Sequence, residues 1–150
     1  MKFKSLIMIV LLLFTLCSIS AIHADTYMIK NSSFTLPDGY GMSEQGPQTL
    51  LYNDKYVLTF FEGPQIGDDQ IKDNLIANNY TFIGEDNYDF DGVNINQQNY
   101  NKNGVNTCVY SFEKNSHFYV ITLNVYENQE VPEYENNPVT QIIDSLEVTG

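Results

Sequence analysis

Two hairpin turns organise the alternation of apolar and polar residues in the second half of the chain. A two-residue turn at Asn103-Gly104 places residues whose numbers sum to 207 opposite each other, and a turn at Asn115-Ser116 does the same for a sum of 231. Both registers put the same apolar residues on one face, and a slip of one residue would exchange the two faces. This apolar face carries Val93, Ile95, Cys108, Tyr110, Phe112, Tyr119, Ile121, Leu123 and Val125.

Shorter alternating segments precede this meander. Tyr27–Lys30 and Ser33–Leu36 alternate as short strands. Gln48–Tyr52 and Tyr56–Glu62 form a predicted hairpin, and Gly63-Pro64 ends its second strand because proline cannot donate to the ladder. The first half of the chain therefore adds several strands to the sheet.

Two segments show helical spacing instead. The first begins at Asp68 and Asp69, which suit a helix N-terminus by capping and by charge. The second begins with Asn137 as the N-cap and Pro138 at the first helical position. Their apolar stripes are Ile71, Leu75 and Ile76 in the first helix and Val139, Ile142, Ile143 and Leu146 in the second. The pattern predicts an α+β fold, with a mostly antiparallel sheet of about five to seven strands and both helices on its apolar face.

The N-terminal segment has the pattern of a secretory signal peptide. Lys2 and Lys4 precede the apolar run Leu6–Leu16, whose eleven residues are too few for a membrane span of about 20. We therefore predict a signal helix over Met1–Ala24 and a single α+β domain over residues 25–150. The alternative is an uncleaved anchor, in which case the protein contacts a membrane only through Met1–Ala24.

The charge of the chain disfavours nucleic acid as a partner. The chain has seven lysines, no arginine and 19 acidic residues, a net charge of −12. Removing the signal would also remove two lysines, which leaves five lysines against the 19 acidic residues, or −14. Affinity for nucleic acid depends on cationic side chains that neutralise phosphates, and an anionic lipid surface would repel this charge in the same way.

The cysteine and histidine content disfavours nucleophilic catalysis. The predicted mature chain holds Cys108 and His117 alone of their types, so it cannot form an internal disulfide. In the predicted register Cys108 lies opposite Leu123, about 20 Å along the strand from His117, beyond the reach of proton transfer. We expect Cys108 to be a small buried hydrophobe and His117 a solvated turn residue. Because no catalytic set of residues emerges, the chain is predicted not to be an enzyme.

One acidic segment is a candidate metal site. Oxygen-bearing residues at alternate positions before Gly92 resemble the start of a calcium loop. The twelfth position holds Gln98, which cannot supply the bidentate carboxylate of an EF-hand. The segment is therefore read as a polar turn, and the alternative is a weak Ca²⁺ site that uses Asp86, Asp89 and Asp91.

Two tyrosines are candidates for a contact surface. Tyr100 and Tyr126 fall on the outer face of the meander, where aromatic side chains suit contact with a protein or a glycan. The alternative is that they lie under a loop. Asn31 and Asn79 each begin a glycosylation acceptor triplet, which matters only if the exporting cell glycosylates.

The order of these landmarks resembles the PsbP/DcrB-like superfamily, which includes photosystem extrinsic proteins, periplasmic lipoproteins and a Ran-binding nuclear import factor. The resemblance rests on an opening strand that runs into the turn at Phe34–Tyr40, the hairpin, helix and meander, and a closing helix with Ile142–Leu146. It implies an α/β sandwich and a docking role, and it transfers no catalytic residue. We therefore expect an exported, non-enzymatic binding or accessory domain of the cell envelope with an unknown partner. The alternative is a calcium-binding or metal-dependent module at Asp86–Gly92.

Overall fold

A computed structural model describes residues 26–29, 31–45, 48–127 and 129–149. These ranges hold ten β-strands, two α-helices and a short 3₁₀ turn at Tyr134–Asn136. The predicted signal helix lies outside the described residues. Within the described ranges, no helix combines the length and the apolar character that crossing a membrane requires.

Seven strands form one antiparallel sheet. In their spatial order across the sheet the strands are β3 (Gly41–Gln45), β4 (Gln48–Tyr52), β5 (Tyr56–Gly63), β9 (His117–Val125), β8 (Val105–Lys114), β7 (Val93–Lys102) and β6 (Thr81–Phe90). The mostly antiparallel α+β fold predicted from the sequence is confirmed.

A second, three-stranded sheet joins the two ends of the described chain. Its strands are β1 (Thr26–Ile29), β2 (Ser32–Thr35) and β10 (Glu147–Val148), with β2 in the centre. The sequence pattern predicted the first two strands near these positions but missed β10, because two residues are too short to show alternation.

The predicted registers of the meander are confirmed. Ile95 pairs with Phe112, and Phe112 pairs with Tyr119, so the sums of 207 and 231 both hold. At the first turn Asn103 and Gly104 have φ values of 54° and 83°, both in the left-handed region that a two-residue hairpin turn requires. The apolar alternation and the turn chemistry therefore specify the same pairing.

The two helices lie on opposite faces of the large sheet, which corrects the prediction that both cover its apolar face. Helix α2 (Pro138–Ser145) packs on that apolar face, whereas Ile71 of α1 (Asp68–Ala77) packs with Tyr100 and Val109 on the other face. Helix α1 connects β5 to β6, and three strands separate these two in the sheet. The connection therefore crosses the outer face, where Tyr100 and Val109 are apolar surface for it to cover.

The main core lies between the large sheet, α2 and the small sheet. Phe34 from β2 stacks on Phe60 of β5, with ring centroids 5.4 Å apart and planes within 5°. The fully buried residues of this core include Phe34, Leu51, Leu58, Ile95, Tyr110, Tyr119, Ile121, Leu123, Val139, Ile142, Ile143 and Leu146.

Helix α1 begins without a side-chain cap, which corrects the capping role expected of Asp68 and Asp69. Gly67 occupies the N-cap position, and Asp68 is the first helical residue. The carboxylate of Asp68 instead accepts a hydrogen bond from the hydroxyl of Ser111 on β8, with 2.7 Å between the oxygens. Asp68 therefore attaches the helix to the sheet.

Candidate functional site

A solvent-open pocket of about 420 Å³ lies where the end of β5 meets the β8–β9 hairpin. Its lining combines three parts of the chain that are distant in sequence: Asn31 from the β1–β2 connection, Glu62 to Gln65 at the end of β5, and the β8–β9 hairpin with Glu113 and Ser116 to Phe118. The pairing of β5 with β9 brings the second and third parts together.

A glutamate–histidine pair lies in the wall of this pocket. In the antiparallel register Glu62 faces Tyr119, and His117 lies two residues before Tyr119 on the same side of the sheet. His117 Nδ1 and Glu62 Oε1 are 2.8 Å apart. The glutamate side chain is 4% exposed and the histidine 27%, so the pair links a buried carboxylate to a ring that reaches the solvent.

The His117 environment corrects the prediction of a solvated turn residue. The ring is partly buried, bonds to Glu62 and stacks on Tyr119, with centroids 6.4 Å apart and planes inclined by 24°. Sequence reasoning missed Glu62 as a site residue. The alternation along β5 could have indicated its burial. Leu58, Phe60 and Glu62 occupy alternate positions, so the side chain of Glu62 points to the same buried side of the strand as the two apolar residues.

A hydrogen bond behind the Glu62–His117 pair connects the two sheets. The Tyr119 hydroxyl and Ser32 Oγ lie 2.6 Å apart, and both residues are buried. Burial raises the pKa of Tyr119, the hydrogen bond with Ser32 lowers it, and the nearby charge of Glu62 raises it again. The strand that carries His117 is therefore fixed from behind by a bond to β2.

The lysine beside the pocket is directed away from it. Lys114 pairs with His117 across the β8–β9 turn, and its Nζ donates to the Ile143 carbonyl near the C-terminal end of α2. A cation at this end of a helix is favourable because the unpaired carbonyls carry partial negative charge. The positive charge of Lys114 therefore serves the helix rather than the pocket.

The three candidate calcium ligands do not converge. Asp86 and Asp89 are three residues apart in β6, past its irregularity between Phe82 and Gly84, so their side chains point to opposite faces. Asp89 Oδ1 accepts the Gly92 N–H at 3.0 Å, which is a local turn contact. Among the described residues, no group of three or more histidine, cysteine or acidic side chains is arranged to hold a metal ion.

Tyr100 is not part of a contact surface, which corrects its assignment to one. It is 0% exposed beneath α1, and its hydroxyl donates to Gln98 Oε1 at 2.6 Å. Burial, followed by the charge of Glu85, raises the pKa of Tyr100 to about 12. Tyr126 lies just after β9 and is partly buried, which raises its pKa, and its role in a contact surface stays a prediction.

Cys108 is buried as predicted. The residue is 1% exposed in the main core and pairs with Leu123, away from the pocket end of β9. Burial raises the pKa of the thiol to about 11, although a hydrogen bond with Tyr110 opposes the shift. A buried neutral thiol is a poor nucleophile, so Cys108 acts as core packing.

Comparison with known proteins does not identify this site. No protein-family model matches the chain, and no curated protein matches it. A crystal structure from Bacteroides thetaiotaomicron is similar over 85% of this chain, at 14% sequence identity and a TM-score of 0.42. This chain covers 50% of that protein, so it spans half of its length. The similarity assigns no function to the pocket.

Proposed function

We propose that this chain is an exported, non-enzymatic binding or accessory domain of the cell envelope that takes its ligand at the pocket beside Glu62 and His117. The observation that carries this proposal is the pocket itself, a polar recess that three separate parts of the chain build together. Its volume of about 420 Å³ falls within the range of small-molecule sites or of a cleft for one side chain of a partner.

The buried glutamate supports a binding role because burying a carboxylate at this position costs free energy that an apolar residue would not. Removing a carboxylate from water costs several kcal/mol, and a buried ion pair is often replaceable by apolar residues without loss of stability. Glu62 continues the inward series of Leu58 and Phe60, where another apolar residue would extend the core. A charge kept at this position, beside an open recess, is more useful for recognition than for folding.

The location at the cell envelope rests on the sequence. The basic and apolar pattern of Met1–Ala24 is that of an export signal, and the acidic, arginine-free domain suits an extracellular setting. The resemblance to the PsbP/DcrB-like superfamily belongs to the same proposal, because its members include extracytoplasmic docking proteins.

Affinity capture from the native cell envelope tests the binding role. The tagged protein and its His117→Ala variant serve as baits, and Asp69→Ala on the exposed side of α1 is the matched control. We expect the wild type and the control to retain the same partner or ligand and the His117→Ala variant to lose it. Equal retention by all three baits would contradict a role for the pocket.

Mass spectrometry of the exported protein tests the location. A mature N-terminus at or just before Asp25 is expected from the signal pattern. An intact N-terminus in the envelope fraction would identify an anchor, and a protein found only inside the cell would contradict export.

A further inference from the structure

One edge of the large sheet is a long strand. β6 has ten residues and pairs with β7 on one side, and no strand among the described residues pairs with it on the other. The strand at the opposite edge, β3, has only five residues. An edge strand presents backbone donors and acceptors that can bind a further strand. β6 therefore offers the longer surface for such an addition.

Three residues of β6 direct their backbone groups away from the sheet. The turn that joins β6 to β7 has two residues with positive φ, so Phe90 and Val93 form a hydrogen-bonded pair beside it. Bonded and non-bonded pairs alternate along antiparallel strands, so the non-bonded positions of β6 are Glu85, Asn87 and Asp89. Their N–H and C=O groups point out of the edge over about 14 Å.

The start of β6 is irregular and lies outside this row. The register shifts between Phe82 and Gly84, and Ile83 between them is 61% exposed. A bulge bends an edge strand and interrupts its pairing. The strand is regular over residues 84–90, so the three outward positions lie in one continuous segment.

The two faces of this segment differ in chemistry. Glu85 and Asp89 lie on the outer face and are exposed, whereas Tyr88 and Phe90 lie on the other face, partly buried at the margin of the main core. A strand added at the edge would continue both faces. Opposite charges on neighbouring strands stabilise a sheet, and so do apolar pairs. The edge therefore suits a strand in which apolar residues alternate with cationic ones.

The two carboxylates on the outer face keep their negative charge. Asn96 Nδ2 donates to Glu85 Oε1, and a backbone N–H of the turn donates to Asp89 Oδ1 at 3.0 Å. Both donors are neutral, and no lysine of the described residues forms an ion pair with either carboxylate. The ammonium group of Lys72 on α1 instead lies 3.7 Å from the centroid of the Phe82 ring.

The same charges disfavour a second copy of this chain as the occupant. Antiparallel pairing centred on Asn87 is the arrangement that uses all three outward positions, and it places Glu85 of each copy opposite Asp89 of the other. Like charges in these positions destabilise the pairing. Asp86 adds a further negative charge on the other face. The edge is therefore suited to a different, cationic chain.

We propose that β6 binds an extended, lysine-containing segment of a partner protein, which joins the sheet as an additional antiparallel strand. The backbone groups of Glu85, Asn87 and Asp89 hold the segment, and its lysines lie opposite Glu85 and Asp89. Its apolar residues pack beside Tyr88 and Phe90. This surface is separate from the pocket, because β6 supplies none of the pocket's described lining residues.

A designed peptide tests the binding mode. The probe is acetyl-Val-Lys-Val-Thr-Val-Lys-amide, which in antiparallel pairing places its lysines opposite Asp89 and Glu85 and its first two valines opposite Phe90 and Tyr88. In a nuclear magnetic resonance titration of the exported protein, we expect saturable shifts of the amide signals of Glu85, Asn87 and Asp89. A lack of saturable binding would overturn the proposal.

Two methylated forms of the peptide distinguish strand addition from charge attraction alone. Backbone N-methylation of both lysines removes N–H groups that point to β6, and we expect roughly tenfold weaker binding. N-methylation of the second and third valines removes N–H groups that point away, so the affinity should be kept. Equal affinity of the two forms would contradict strand addition.

Charge reversal tests the selection of a cationic partner. The double variant Glu85→Lys/Asp89→Lys should bind the lysine peptide roughly tenfold more weakly and should gain affinity for the analogue with glutamate in place of both lysines. Asp54→Lys/Glu127→Lys is the matched control, since both residues are exposed and lie outside β6, and it should keep its preference for lysine. The same preference in both variants would contradict the proposal.

Two further variants separate the alternatives. His117→Ala should bind the peptide as the wild type does, and a dependence on His117 would place the peptide in the pocket and overturn the proposal for β6. Asn87→Pro removes one outward N–H, so it should weaken peptide binding. A dimer in analytical ultracentrifugation that Asn87→Pro dissociates would assign the edge to a second copy instead. Failure of the peptide experiments leaves the capture test of the pocket unaffected.

Discussion

The two faces of the large sheet hold their helices by different interactions. On the main core side, α2 and Leu146 directly after it bury four side chains that are at most 2% exposed: Val139, Ile142, Ile143 and Leu146. On the outer side, α1 buries Ile71 alone among its residues, at 9% exposure. The hydrophobic contribution to the attachment of α2 is therefore larger, since it scales with the apolar area removed from water.

Polar contacts at both ends compensate for the small apolar face of α1. At its start, the Gln98 side chain donates to the Asp68 carbonyl at 3.0 Å, and Ser111 donates to the Asp68 carboxylate. Just past its end, Lys102 Nζ donates to the Asn78 carbonyl at 2.8 Å. Each such bond adds roughly 0.5–1.5 kcal/mol. Because these bonds are few and partly exposed, α1 is expected to open before α2.

The largest expected effect follows from truncating the apolar face of α2. Ile142→Ala leaves a cavity in the main core and should lower the free energy of unfolding by roughly 2–5 kcal/mol. The matched change on α1 is Ile71→Ala, the buried residue of that helix at 9% exposure, and it should cost less because this residue lies in the smaller of the two hydrophobic clusters. Urea denaturation measures both, and equal costs would show that the two helices are held alike.

The cap of α2 gives the next largest effect. Asn137 Oδ1 accepts the Val139 N–H at 2.9 Å, and Asn137 Nδ2 donates to the buried Tyr110 hydroxyl at the same distance. Asn137→Ala removes both bonds and should cost about 1–3 kcal/mol in urea denaturation. Asn78→Ala at the exposed end of α1 is the control and should cost clearly less. A cost for Asn137→Ala no larger than that of the control would contradict the role of the cap.

Detaching the start of α1 should have a smaller and more local effect. Asp68→Ala removes the bond to Ser111, with an expected loss of about 1 kcal/mol. In native-state hydrogen exchange, amides of α1 should then exchange faster while those of α2 keep their protection. Asp69→Ala, on the exposed side of the same turn, is the control. Equal acceleration in both helices would mean that α1 does not open independently.

The last expected effect is a loss of stability at alkaline pH. Burial raises the pKa of Tyr100, on the α1 face, to about 12, and burial also raises that of Tyr110 on the α2 face. Since the folded protein favours the neutral phenols, this stability is complete below the ordinary pKa of 10.0 and declines as the pH rises towards 12.

Urea denaturation between about pH 9 and 12 measures this decline. In the Tyr100→Phe variant, which cannot ionise at that position, the decline should be shallower than in the wild type. An absorbance titration of the folded protein should also show phenols that ionise only well above the ordinary pKa. Ionisation of all the tyrosines near the ordinary pKa without unfolding would contradict the burial argument.

The sequence was sufficient for features that depend on neighbouring residues. The turn at Asn103-Gly104 and the alternation on both sides of it gave the register of β7 with β8, because a hairpin pairs strands that are adjacent in the chain. The start of α2 was equally readable, since Asn137 caps the helix and Pro138 follows at its first position. Both features are settled within a few residues of the chain.

The face of the large sheet on which α1 packs could not be predicted from the sequence in the same way. The spacing of Ile71 and Leu75 indicates that one side of the helix is apolar. It does not indicate which face of the sheet that apolar side packs against. The crossing from β5 to β6 over the outer face follows from the strand order, which depends on pairing between distant segments. For this reason the sequence leaves Tyr100 as a candidate for a contact surface, whereas α1 buries it.

The candidate site also combines features that local sequence specifies with features that only the tertiary structure specifies. Local patterns in the chain specify the two strand ends that carry Glu62 and His117, including the hairpin turn at Asn115-Ser116. They do not pair β5 with β9, because 55 positions separate the two residues and no turn links their strands. Burial of apolar faces from the whole chain selects that pairing. It places a glutamate against a histidine and opens a recess beside them, which neither segment contains by itself.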